Sequence, residues 1–137
     1  MAIALTKVNS FVENLAEKLI DLSGNGLTVA LTNTAHTASW TQLSDLTQVS
    51  YTYCSSRVIT VTSSAQTSGT YKLCLTDLVL TASGGTVGAF RYVYIYDDNS
   101  TNDKLIGYYD YASAITLADG ETLTLNFDDA NGVLTIS

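Results

Sequence analysis

Phe90-Arg91-Tyr92-Val93-Tyr94-Ile95-Tyr96 is apolar or aromatic on both parities of an extended chain. Successive side chains of a strand point to opposite faces, so such a run predicts a central strand buried on two sides. Outward from it, Asp97 to Asp103 is a polar turn and Leu105 to Tyr111 returns as a partner strand. Leu27-Thr28-Val29-Ala30-Leu31-Thr32 alternates apolar and hydroxyl side chains, the period-two signature of a half-buried strand. The chain holds twenty threonines, most of them in such alternation between Leu27 and Ile136.

Further strands are expected at Ser50–Cys54 and Arg57–Ser63, with a loop over 64–69. In Tyr71 to Ala82 the apolar parity changes near Asp77, which predicts a bulge or two strands with a bend. Asp119-Gly120 predicts a two-residue hairpin joining Ile115–Ala118 to Glu121–Leu125, and Asn131-Gly132 a turn before Val133 to Ile136. Eight or nine short strands at this spacing predict a mainly β chain, a jelly-roll-like antiparallel β-sandwich. One amphipathic helix is expected over about 10–23. Phe11, Leu15, Leu19 and Leu22 fall on one face, Ser10 and Glu13 form a capping box, and Gly24 is the stop. The 137 residues read as one domain, with an arm and helix over 1–24 and strands over 27–136.

The net charge is -7, with only six Lys and Arg scattered along the chain. That disfavours nucleic acid and anionic membranes as partners, because phosphate contacts need basic residues. No apolar run approaches the ~20 residues of a membrane span. Glu13, Glu17 and Asp21 interrupt the apolar pattern of the N-terminus, so it lacks a signal-peptide core, and synthesis in a cytoplasm is expected. Cys54 and Cys74 are too few for a disulfide framework; two free thiols is the simpler reading, with one bridge between neighbouring strands left open. Proline is absent, consistent with dense strand pairing.

Candidate chemistry is sparse. Asp97, Asn99, Thr101 and Asp103 have the every-second-residue spacing of a calcium loop, but Asn102 stands where glycine is needed and Tyr108 where a bidentate Glu is needed. A solvated turn is the better reading there, and also for Asp128-Asp129-Ala130-Asn131-Gly132. His36 lies in a Ser/Thr-rich loop with no triad pattern around it. No enzyme, cofactor or metal site is expected. Asn99-Ser100-Thr101 is formally a glycosylation sequon, with little meaning in the absence of a secretory signal. Tyr92, Tyr94, Tyr96, Tyr108, Tyr109 and Tyr111 fall on two strands expected to pair. They suit cross-strand packing, a protein interface, or stacking on sugars. Trp40, in a polar loop, is either a core plug or an interface anchor.

Val8 to Lys18 followed by Leu27 to Ala35 resembles small structural proteins of tailed bacteriophages. So do Phe90 to Val93, Leu105 to Tyr111, Leu117 to Thr122 and Phe127 to Ile136. The likeness spans nearly the whole chain, although Thr52 to Ser83 is generic alternation. Within that group, capsid decoration (cement) proteins are the nearest in pattern. The resemblance implies a virion component, made in the host cytoplasm, that binds the major capsid protein on the outside of the expanded shell between capsomers. It also implies self-association as a homodimer or homotrimer. Phe11, Leu15, Leu19, Trp40, Tyr92, Tyr94, Tyr108 and Tyr109 are the contact residues expected on this reading. A tail, baseplate or head-fibre part and a carbohydrate-binding or adhesion module are the alternatives.

Overall fold

The computed structural model describes residues 4–127 and 130–137. With 47% of residues in strands and 7% helical, the protein is mainly β, and its ladders are antiparallel. In chain order the elements are β1 (Thr6–Lys7), α1 (Phe11–Ala16), β2 (Leu27–Thr32), β3 (Val61–Thr67), β4 (Thr70–Leu75), β5 (Leu78–Thr81), β6 (Val87–Asp97), β7 (Lys104–Leu117), β8 (Thr122–Leu125) and β9 (Leu134–Ile136). They form a four-stranded sheet ordered β1-β7-β6-β2, a three-stranded sheet β3-β4-β9 and a two-stranded sheet β5-β8.

The aromatic heptad lies in β6, paired with β2 on one side and β7 on the other. Tyr92 to Asp97 are all buried, as a run apolar on both parities requires. The parity change near Asp77 separates two strands in different sheets: β4 pairs with β3 and β9, and β5 with β8. Asp77 secures the break, its Oδ1 accepting the Phe127 N–H at 2.8 Å.

Several local expectations are corrected. The helix is six residues, Phe11–Ala16, not fourteen. Lys18 adopts a left-handed φ of 66°. The Lys18 N–H then reaches the Leu15 carbonyl and the Leu19 N–H reaches the Asn14 carbonyl, the hydrogen bonds of a Schellman stop. Beyond it the chain is not helical, and Ile20 and Leu22 turn inward while Leu19 and Asp21 face out. Residues 19–22 thus follow period two where period 3.6 was expected. The capping box is absent as well: Ser10 is itself helical in φ and ψ and makes no cap hydrogen bond.

The expected loop at 64–69 is the end of a β3–β4 hairpin. Thr67 pairs with Thr70, and the two residues between them, Ser68 and Gly69, have φ of 51° and 83°, the pattern of a type I′ turn. Residues 50–54 form no ladder; Cys54 bridges Ala82 beside β5. The segment expected as strand 57–63 divides. Arg57 to Ile59 lies along the free edge of β2, with Val29 N–H bonded to the Arg57 carbonyl and Ile59 N–H to the Leu27 carbonyl, while β3 begins at Val61. Ile115 to Leu117 is the end of β7, not a separate strand. Asp119-Gly120 does form a tight turn, but β8 leaves it to pair with β5. Both cysteines are free: Cys74 is buried, and Cys54 is half-buried with its thiol pushed up by burial.

Candidate functional site

Two regions hold most of the expected contact residues. The first is the tyrosine face of the four-stranded sheet. Tyr94 stands directly opposite Tyr108 in the β6–β7 register, with ring centroids 5.3 Å apart, and Tyr92 meets Tyr108 edge-on at 6.3 Å. Tyr109 follows Tyr108 in the strand and so points to the other face, where it packs on Phe127.

The polar segment 33–42 folds back over this face. His36 stacks on Tyr108 with centroids 4.5 Å apart and planes inclined 24°. Trp40 meets His36 edge-on at 5.7 Å and leans on Tyr94 at 6.2 Å. The Nδ1 of His36 is 2.8 Å from the Tyr94 hydroxyl. The loop is anchored at its far end by Asp45, whose Oδ2 accepts the Thr41 and Gln42 N–H groups, and by the Leu105 N–H bonding the Thr41 carbonyl. Burial lowers the His36 pKa and raises that of Tyr94, whose phenol also feels Tyr108 and Tyr92. The His36 ring therefore favours its neutral form. Its hydrogen-bond partner is the buried Tyr94 phenol.

The second region is the surface around α1. Two adjoining clefts, of about 590 and 500 Å³, share Leu15 and Ile136 as walls. Ile20, Leu22 and Tyr71 line one; Phe11, Val12 and Lys7 line the other. Val12 is 57% exposed and Ile136 43%. This strip is the main stretch where large apolar side chains of α1 and β9 meet solvent together. Val12 and Ile136 were missed from sequence because each looks like one more residue of an alternating or helical pattern.

Of the expected contact residues, Phe11, Tyr92, Tyr94 and Tyr109 are buried within the protein's own core, so their side chains have almost no free surface to offer a partner. Leu15, Trp40 and Tyr108 are half-buried, and Leu19 is exposed. The structure brings Phe11 with Leu15, Trp40 with Tyr94, and Tyr92 and Tyr94 with Tyr108; it places Tyr109 apart from both groups.

The acidic turn after β6 is closed by its own hydrogen bonds. Asp97 is 2% exposed. Its Oδ2 accepts the Asp21 N–H and its Oδ1 the Asn99 N–H, both at 3.0 Å. The Ser100 hydroxyl donates to the Asp97 carbonyl and accepts the Lys104 N–H. Burial, with Asp98 and Asp97 nearby, raises the Asp103 pKa. Among the described residues no group of three or more His, Cys, Asp or Glu side chains is placed to hold a metal ion. The acidic stretch Asp128-Asp129 lies outside the described residues. At the protein surface, Arg91 and Asp110 form a two-pronged ion pair at 2.7 and 2.9 Å.

No protein family matches the chain, and neither a curated protein nor a solved structure matches it.

Proposed function

We propose that this protein is a structural component of a tailed-bacteriophage virion, a decoration protein that binds the major capsid protein on the outside of the icosahedral shell between capsomers. On this reading the three antiparallel sheets are the layers of a jelly-roll-like sandwich. The sequence resemblance supplies the class. The observation that carries it is the apolar strip of exposed Val12 and Ile136 with half-buried Leu15 beside them, on an acidic, hydroxyl-rich surface. A strip of this kind suits burial against another protein. The mechanism is linkage: a protein that binds only the expanded lattice stabilises that lattice by its binding free energy, without doing chemistry. The half-buried His36, bonded to the buried Tyr94 hydroxyl, fits a scaffold role better than a catalytic one.

The test is a binding assay of the purified protein against empty capsids, expanded and unexpanded, and against tails. Saturable binding to expanded capsids, with raised resistance of the shell to heat, is expected. Binding to tails alone would move the protein to the tail or baseplate, where copy number per virion would also be far lower.

A second reading has one observation in its favour. The half-buried rings of His36, Trp40 and Tyr108 form an aromatic cluster of the sort on which a sugar ring stacks. Glycan arrays, with and without calcium, test that adhesion function.

A further inference from the structure

We propose that the outer edge of β3 is a self-association surface, on which a second copy of this chain pairs antiparallel about a two-fold axis through Ala65. The proposal does not depend on capsid binding. β3 is a terminal strand of its sheet. Among the described residues, no backbone hydrogen bond outside the β3–β4 ladder involves Val61 to Thr67. Other edges are short, covered or interrupted: β1 has two residues, β9 three and β8 four, Arg57–Ile59 lies along β2 and Tyr53–Ser55 along β5, and the stretch of β7 beyond β1 carries the charged Asp110 and a left-handed Ala112. β3 has seven. Its sequence, Val-Thr-Ser-Ser-Ala-Gln-Thr, contains no charge and no proline, the devices that usually blunt an exposed edge.

The register defines what the edge presents. A two-residue hairpin makes Thr67 and Thr70 a hydrogen-bonded pair, so Ala65 and Ser63 also bond inward to β4. Ser64 and Gln66 alternate with them, and their N–H and C=O groups point outward. With the two-fold axis at Ala65, Ser64 of one copy meets Gln66 of the other, twice over, giving four main-chain hydrogen bonds. Ala65 then faces Ala65, and Ser63 faces Thr67. Every pairing is small or uncharged, so no like charges oppose each other at close range. This register also stays clear of the bulge between Val61 and Ser63. The groove beside the strand, about 690 Å³ and walled by Ser23, Gly24 and Asn25, leaves room alongside residues 58–64. Each copy carries a net charge of -7, so the uncharged edge is where two copies approach with least repulsion. Salt should therefore strengthen the dimer by screening.

The experiment is sedimentation equilibrium of the full chain from low to high micromolar concentration, at low and high salt. A monomer–dimer equilibrium tightened by salt is expected. Gln66→Pro removes an outward N–H that β4 does not use, and Ala65→Lys sets two ammonium groups face to face across the axis. Each should give a monomer while retaining the wild-type circular dichroism spectrum. A wild-type monomer at all concentrations overturns the proposal, and so does a dimer that survives both substitutions or is weakened by salt. Because capsids are not needed, the result is independent of the decoration role.

Discussion

The Nδ1 of His36 lies 2.8 Å from the hydroxyl of Tyr94, a side chain with no exposed surface. That contact links the 33–42 loop to the floor of the tyrosine face, and makes the loop the cover that keeps Tyr94 dry.

It sets a pH dependence. Burial lowers the folded-state pKa of His36 below its ordinary value near 6.5, so the unfolded chain binds the proton more readily than the folded one. The stability His36 contributes is fully present above about pH 6.5 and is lost as pH falls through its lower folded-state value. The carboxylates with lowered values, Asp21 and Asp110, act in the same sense but only in the more acidic carboxylate range. Thermal melts should show Tm falling between pH 7.5 and 5.5 in the wild type and a flatter profile in His36→Gln. Equal slopes for the two proteins would contradict this account.

Tyr94→Phe keeps the ring but removes the His36 partner. It should cost about 1 kcal/mol, the usual net value of a hydrogen bond. In a double-mutant cycle with His36→Phe, a coupling above about 0.5 kcal/mol is expected from denaturant midpoints, because the residues touch. Additive effects would show that the contact contributes nothing.

Two substitutions in the N-terminal segment separate the observed helix from the expected one. The Ser10 hydroxyl is buried and has no hydrogen-bond partner in the structure. Ser10→Ala should therefore be neutral or stabilising by up to about 1 kcal/mol, whereas loss of a true N-cap would destabilise by roughly that amount. Lys18 holds a left-handed φ that favours glycine, so Lys18→Gly should raise stability by about 0.5 kcal/mol. Urea denaturation of both variants reads the signs directly.

Asp97 ties the segment between α1 and β2 to the β6–β7 turn through the Asp21 N–H. Asp97→Ala should destabilise by about 2 kcal/mol, because it removes two hydrogen bonds to a charged acceptor. Both Asp97 oxygens are already engaged by backbone, so calcium should leave Tm unchanged. A calcium-dependent rise in Tm would show that the turn opens to bind the ion.

The strands were legible wherever a single period dominated the sequence. β6 follows its two-sided apolar run directly. β2 is a strand as its alternation predicts, but it is buried on both faces, Thr28 and Thr32 included, because the 47–59 segment covers its outer edge. The parity change at Asp77 marks a true switch of sheet. Residues 10–23 were misread because Phe11, Leu15, Leu19 and Leu22 suit a helix as well as Ile20 and Leu22 suit an extended chain; the left-handed Lys18 decides between them. The β3–β4 hairpin was hidden because Ser-Thr-Ala-Gln composition looks like a loop, and the one available signal was Ser68-Gly69. Pairing of β8 with β5 instead of β7 is non-local, set by how Ala82 docks on Gly120 and Glu121. At the candidate site, the clustering of tyrosines on two paired strands could be read from alternation. The cover formed by His36 and Trp40 could not, because no periodicity connects a polar loop to the strand face 58 residues away.

The most direct test of the decoration role compares the wild type with the double variant Val12→Asp, Ile136→Asp in binding to expanded capsids. Both side chains are exposed, so the variant should fold normally. The account predicts saturable binding by the wild type and at least a tenfold loss of affinity for the variant, about 1.4 kcal/mol or more. Undiminished binding by the variant would remove the apolar strip from the interface, and a wild type that does not bind expanded capsids would contradict the decoration role itself.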